Sequence, residues 1–330
     1  MVLWRLHANF GKKQIPISLT DSGLRLARVP GNGRIFDRTS NVERVEAMKK
    51  TAWNFDVHVH MDIGTDVEQV VENARKLKCR LGISSLGSTF HMPDNESVAE
   101  AIRRYPDVVV GFGYIALGRG DGPSKVEKLH RQGFRALKMI CPKKDYDDKS
   151  YYPIYAKAED LHMPVLFHTG VVARMDVWAK KHGWKDMEAI DFRSLDISSN
   201  RMRPICLDAI ARAFPDLNLI MAHFCSLGRR DEAAAVLKHN PNVYADLTTL
   251  SGAKTKAQVR ENAKLVKSFL STHDYGKLLF GTDLFTSSDT GRLKLGIKAI
   301  NMLLDELKVT REVRVKIMGE TAEELVGMKR

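Results

Sequence analysis

From residue 54 onward, short apolar or β-branched runs alternate with longer stretches whose apolar residues recur at helical spacing. This is the pattern of a parallel sheet built from βα units. It predicts eight strands, at residues 54–61, 80–86, 107–114, 134–140, 164–168, 218–223, 242–247 and 277–282. The first intervening helix is the clearest: Val67, Val70, Val71, Ala74 and Leu77 fall on one face, opposite Glu68, Glu72 and Lys76. Pro204 opens a helix over 205–214 that Pro215 ends, and Gly228 precedes another over 229–239, stopped by Pro241. Eight units in about 275 residues match a (β/α)8 TIM barrel of the α/β class. No G-x-G-x-x-G follows the first strand, so an open dinucleotide-binding sheet lacks its signature, and no internal repeat is found.

Two segments break the alternation. Residues 1–50 read as a short, irregular, basic N-terminal extension with a turn at Pro30-Gly31-Asn32-Gly33, expected to pack on or beside a barrel formed by residues 51–330. Residues 169–203, between strand five and its helix, hold Arg174, Trp178, Trp184, Arg193, Arg201 and Arg203. In a barrel they belong over the mouth, where loops define substrate choice.

Composition narrows the class. Hydrophobic residues make up 44% of the 330 and charged residues 28%, a globular profile that excludes disordered and collagen-like chains. No apolar run reaches membrane-spanning length, and Arg5, His7 and Asn9 interrupt the start where a signal peptide needs apolar continuity. The expectation is a cytoplasmic protein with no membrane partner. Cys79, Cys141, Cys206 and Cys225 form no C-x-x-C pair, so reduced thiols are expected. Of the net charge of +12, half lies in residues 1–50, which carry ten Lys/Arg against four Asp/Glu. The remainder has no basic run with interleaved aromatics, which argues against nucleic acid and for a small anionic substrate.

Residue types suited to metal chemistry recur at the predicted strand ends. Strand one ends in Phe55-Asp56-Val57-His58-Val59-His60, and because residues i and i+2 of a strand point the same way, His58 and His60 can share one ion. Alone, H-x-H describes two hydrogen-bonded core histidines equally well. But strand five ends in His168, strand six in His223 and strand eight in Asp283. Burying these groups together costs several kcal/mol unless something compensates, and a divalent cation does so. Asp56 is expected to anchor the strand end, and Cys141 and Cys225, just beyond strand ends, are read as packing residues. His91, after strand two, is a candidate substrate contact. Arg174, Arg201 and Arg203 are candidates for a carboxylate clamp, with ordinary surface arginines as the alternative.

The chain resembles the amidohydrolase superfamily of metal-dependent barrel enzymes, and specifically its amidohydrolase-2 branch of hydrolases, lactonases and non-oxidative decarboxylases. The likeness spans residues 54 to about 328. It rests on His58-Val59-His60, Gly133-Phe134-Arg135-Ala136-Leu137-Lys138-Met139, Tyr152-Pro153-Ile154-Tyr155, Met163-Pro164-Val165-Leu166-Phe167-His168-Thr169-Gly170, Arg203-Pro204-Ile205-Cys206-Leu207-Asp208, Ala222-His223 and Phe280-Gly281-Thr282-Asp283. Glu320-Thr321 departs from the family's usual Gly-Asn or Asn. The resemblance implies that His58, His60, His168 and Asp283 bind one divalent metal, zinc foremost, with manganese or iron as alternatives. Asp283 then takes the proton of a metal-bound water, and His223 polarises the scissile carbonyl or holds its oxyanion. Lys138, ending strand four, is the residue that in two-metal members bridges the ions when carboxylated, here with His223; one metal is favoured. No strand-four Glu of the TatD-type nucleases is present.

The leading function is therefore a metal-dependent hydrolase opening a lactone, ester or amide of a small, carboxylated molecule. The alternative is non-oxidative decarboxylation of an aromatic or unsaturated acid on the same metal site; the intact H-x-H tilts the reading towards hydrolysis. A nucleic-acid-binding or non-catalytic protein rests only on the charge of residues 1–50. A homo-oligomer is compatible with the sequence.

Overall fold

The computed structural model describes residues 53–87, 90, 92–172, 196–224, 229–287 and 291–328. Residues 1–50, His91, Arg174 and Cys225 lie outside the described residues. The eight predicted strands are found, most of them shorter than predicted: β1 Asn54–His60, β2 Cys79–Ser84, which begins one residue early, β3 Val109–Tyr114, β4 Ala136–Met139, β5 Val165–Phe167, β6 Leu219–Met221, β7 Val243–Asp246 and, for the eighth, two short pieces, β8 Leu278–Leu279 and β9 Leu284–Phe285, the second lying beyond the predicted range. All pair in parallel, in the order β8-β7-β6-β5-β4-β3-β2-β1-β9.

That order closes a ring, because β8 and β9 are the lower and upper halves of one stave. The lower half pairs with β7 (Asp246 beside Leu279), and the upper half pairs with β1 (His60 beside Phe285). Between them the backbone stays bonded to β1: Val57 N–H donates to the Phe280 carbonyl at 3.1 Å, and Asp283 N–H to the His58 carbonyl at 2.9 Å. The break falls where Asp283 takes a positive φ of 57°. Lys277, predicted to begin this strand, instead ends a 3-10 turn (Asp274–Lys277), and its ammonium donates to the Leu237 and Asn240 carbonyls at 2.8 Å each.

The helices follow from local signals. In α1 (Val67–Lys76) the Asp66 carboxylate caps the first turn, accepting from Gln69 N–H at 3.0 Å, while Val70, Val71 and Ala74 are buried and Arg75 and Lys76 meet the negative end of the dipole. The others are α2 Asn95–Arg104, α3 Pro123–Arg131, α4 Tyr152–Asp160, α5 Cys206–Ala213, α6 Arg230–His239, α7 Lys256–Phe269, α8 Arg292–Glu306, α9 Arg311–Val315 and α10 Thr321–Leu325. Among the described residues no helix is long and apolar enough to cross a membrane.

The core has two parts. The larger joins the helices to the outer faces of the strands. The smaller fills the barrel floor with Phe55, Val57, Val110, Phe112, Ala136, Leu166, Ile220 and Leu279, sealed by Ala322 and Leu325 of the last helix and by Val326 that caps it. Alternation carries two of these inward rows upward into polar residues, Ala136 being followed by Lys138 and Leu166 by His168, and a third into the close-packed Gly281 after Leu279. In β1 a register irregularity between Asp56 and Val59 alters this alternation. Regular alternation would put Asp56 on the same face as the two histidines. The bulge instead leaves Asp56 beside Leu81 and brings His60 beside Ser84. Asp56 accepts from the N–H groups of His58 (3.1 Å) and Thr282 (3.0 Å) and from the Thr282 hydroxyl (2.5 Å), pinning the first stave to the eighth.

Candidate metal centre

His58 and His60 are buried at the top of β1, and their Nε2 atoms approach to 3.1 Å. Asp283, turned inward from the split eighth stave, brings Oδ1 to 3.4 Å from His58 Nε2 and 3.3 Å from His60 Nε2. The far sides of the rings decide what these atoms are. His58 Nδ1 lies 2.8 Å from Asp246 Oδ2, an acceptor, so the ring proton is there and Nε2 carries a lone pair. The Ser84 hydroxyl, 3.4 Å from the Val59 carbonyl, is free to accept from His60 Nδ1 at 3.1 Å, which leaves the second Nε2 a lone pair as well. Two imidazole lone pairs and a carboxylate oxygen thus converge on one point, an arrangement that calls for positive charge beside it, from a metal ion or from the nearby Lys138 ammonium. Donor atoms about 2.0–2.1 Å from a tetrahedral ion stand about 3.3 Å from one another. The observed 3.1–3.4 Å fits that spacing.

Burial sets the charge states a metal needs. It drives the His58 imidazole down to about 3, with the Lys138 charge adding to the effect, and it lowers His60 and His168 as well. Burial alone would raise the carboxyls of Asp246 and Asp283, but the facing histidines outweigh it, taking Asp246 down to about 2 and Asp283 well below its usual range. The result is neutral imidazoles around ionised carboxylates.

His223 reaches the cluster from β6. Its Nδ1 is 2.9 Å from Thr248 Oγ1, its Nε2 is 3.1 Å from His168 Nδ1, and its ring centroid lies 5.0 Å from that of His58. His168 joins through His223 and is not among the donors that close around His58, His60 and Asp283; its Nε2 is buried without a hydrogen-bond partner. Lys138 is fully buried and donates from Nζ to His58 Nε2 at 2.8 Å, and burial lowers its ammonium to about 8. A second close group, His58, His223 and Asp246, is already linked by hydrogen bonds: Asp246 Oδ1 accepts from His223 N–H at 2.8 Å while its Oδ2 holds His58.

Of the three arginines expected to clamp a substrate carboxylate, the two among the described residues are paired within the protein. Arg201 donates to Asp196 Oδ2 at 3.0 Å, and Arg203 forks onto Glu232, with Nη2 to Oε1 at 2.5 Å. Burial pushes the Cys141 thiol up to about 12, which suits packing and not metal binding. Asp246 escaped the sequence reading although it lies one residue from the end of predicted strand seven and ends the observed β7; Thr248 and Ser84 carry no comparable signal.

The sequence profile of the amidohydrolase family matches residues 80–328. The chain belongs to the amidohydrolase family. The match starts at β2, so the placing of His58 and His60 in this amidohydrolase rests on the geometry above. No curated protein matches the chain in sequence. Solved structures share its fold. A candidate 2-pyrone-4,6-dicarboxylic acid hydrolase from Pseudomonas putida is 13% identical with a TM-score of 0.54, covering 84% of this chain and 98% of its own. A 2,6-dihydroxybenzoate decarboxylase from Rhizobium is 15% identical with a TM-score of 0.52, covering 84% and 99%. A dihydroxybenzoic acid decarboxylase from Polaromonas, solved with manganese and the inhibitor 2-nitroresorcinol, is 14% identical with a TM-score of 0.50, covering 85% and 98%. This amidohydrolase is thus an enzyme on the barrel that these proteins share.

Proposed function

We propose that this amidohydrolase is a metal-dependent hydrolase that adds water across the lactone, ester or amide bond of a small, carboxylated molecule. The observation that carries the reading is the convergence of three acceptor atoms 3.1–3.4 Å apart at the barrel mouth. His58, His60 and Asp283 would hold one divalent ion, with zinc first by donor type and His168 beside them. Such an ion, when bound, lowers the pKa of a coordinated water towards 7 and polarises a carbonyl oxygen. Asp283 accepts the proton of the attacking water; its side chain is 36% exposed, the only member of the triad open to the mouth. His223 keeps its Nδ1 proton on Thr248 and turns Nε2 towards the centre, where the proton that Asp283 takes from the attacking water, if passed on, would make an imidazolium that holds the developing oxyanion. Lys138, opposite His58, supplies a buried positive end that attracts an anionic substrate. A single ion is favoured because the second close donor group, His58, His223 and Asp246, shares His58 with the first and is already joined by hydrogen bonds.

The second reading keeps the same donors and removes CO2 from an aromatic acid, and it is supported by the decarboxylases among the solved structures of this fold. The intact pair His58 and His60 favours hydrolysis. The test has two parts. Metal content of the purified protein and of the His58→Ala/His60→Ala variant should read about one ion per chain and none, respectively. Lactones and carboxylated aromatics are then screened in 18O-labelled water: label in a new product carboxylate supports hydrolysis, and release of CO2 without label overturns it in favour of decarboxylation.

A further inference from the structure

Asp246 is fully buried at the end of β7, and four hydrogen bonds divide between its two oxygens. Oδ2 faces His58 Nδ1 at 2.8 Å. Oδ1 accepts from the N–H groups of His223 (2.8 Å) and Thr248 (3.2 Å) and from the Thr248 hydroxyl (2.8 Å). A hydroxyl has one proton, and that of Thr248 is spent on Asp246; its oxygen can therefore only accept from His223 Nδ1, 2.9 Å away. Both imidazoles then carry their proton on Nδ1 and present Nε2 as an acceptor. The opposite end of His58 agrees, since its Nε2 meets the donor Lys138 Nζ at 2.8 Å, and His223 Nε2, 3.1 Å from His168 Nδ1, is then the acceptor of that pair.

We propose that Asp246 is a shared positioning residue which sets the tautomer of His58 directly and that of His223 through Thr248, so that one carboxylate aims both Nε2 atoms into the centre. Its consequence for metal binding rests on the hydrolase reading, whereas the tautomers belong to the protein alone. No other described carboxylate touches both rings' supports: Asp56 bonds only backbone and Thr282 at this height.

Proton bookkeeping separates the two arms. In Asp246→Asn the amide oxygen stays with the three donors on the Oδ1 side, so the amide nitrogen turns to His58 Nδ1 and donates to it. His58 must then protonate Nε2 and lose the lone pair that faces His60. Thr248→Val leaves the bond from Asp246 to His58 but removes the acceptor for His223; Thr248→Ser restores it.

The measurement is long-range 1H–15N NMR of the 15N-histidine-labelled full-length protein, as purified and after zinc loading, beside zinc affinity from competition with a chromophoric chelator. The wild type should show His58 and His223 protonated at Nδ1. Asp246→Asn should move His58 to the other tautomer and weaken zinc binding about 10–100-fold. Thr248→Val should change only the His223 signals and alter zinc affinity less than about threefold, and Thr248→Ser should return the wild-type spectrum. Nε2 protonation of both rings in the wild type, or zinc binding of wild-type strength by folded Asp246→Asn, overturns the proposal. If Asp246→Asn does not fold, the Thr248 pair decides alone: an unchanged His223 tautomer in Thr248→Val overturns it. A wild type that binds no zinc or manganese sinks the hydrolase reading, while the NMR still decides the tautomers.

Discussion

Gly281→Ala tests whether the closeness of three staves is what assembles the centre. A β-carbon built at Gly281 lies 3.0 Å from Thr248 Cγ2, 3.3 Å from Asp246 Cβ and 3.4 Å from His58 Cβ, all inside the about 3.5–4.0 Å optimum for carbon pairs. None of the three can swing aside. Thr248 is held through its N–H and hydroxyl by Asp246 and through its carbonyl by the Ser251 hydroxyl at 2.7 Å, and Asp246 is held by His58 and His223. The methyl is therefore relieved only by parting the staves, at a cost of about 1–3 kcal/mol of overpacking. The same movement draws Asp246 from His58, so zinc affinity should fall as well, by up to about tenfold. Urea unfolding followed by circular dichroism measures the first, and chelator competition the second. Gly276→Ala is the control, because nothing lies within 4 Å of its β-carbon position. If Gly281→Ala matches that control within about 0.5 kcal/mol and binds zinc like the wild type, the staves do not constrain the site as argued.

Acid should destabilise the fold in part through two surface forks. Asp107 and Asp208 are held below the usual carboxylate range by hydrogen bonds from Arg75 and from Arg212 with Asn240. Unfolded, each protonates near about pH 3.9, so their contribution is complete above that pH and is lost as pH falls through the lower folded values. Asp107→Asn and Asp208→Asn should flatten the fall of stability below about pH 4, and an unaltered slope in the double variant would count against the forks. Cys141, with its thiol pushed up to about 12 by burial, should resist iodoacetamide at pH 8 in the folded protein and react in urea, as read by peptide mass spectrometry. Rapid labelling of the native protein would show an accessible thiolate instead.

The barrel was legible because each stave repeats one signal. An apolar run that must cross the core, followed by a polar residue at its upper end, marks the strand and the mouth together, which is why His58, His60, His168, His223 and Asp283 stand out along the chain. Asp246 satisfies the same rule and yet is ordinary in sequence, since a carboxylate near a strand end is common and only a histidine within hydrogen-bond reach makes it a partner. Arg201 and Arg203 show the converse. Clustered arginines suggest an anion site, but Asp196 and Glu232, 5 and 29 residues away along the chain, already neutralise them.

The order of strands and helices, the depth at which polar residues appear and the apolar floor follow from local periodicity, because hydrophobic burial acts on every turn and every strand residue alike. The rest was decided in three dimensions. The bulge in β1 that sorts Asp56 from His58 and His60, the splitting of the eighth stave at Asp283, and the proton placements running from Asp246 through Thr248 to His223 all depend on contacts between residues up to 226 positions apart. Hydrogen-bond direction and ligand spacing are properties of such contacts, and they acquire values only when the ring of strands has closed.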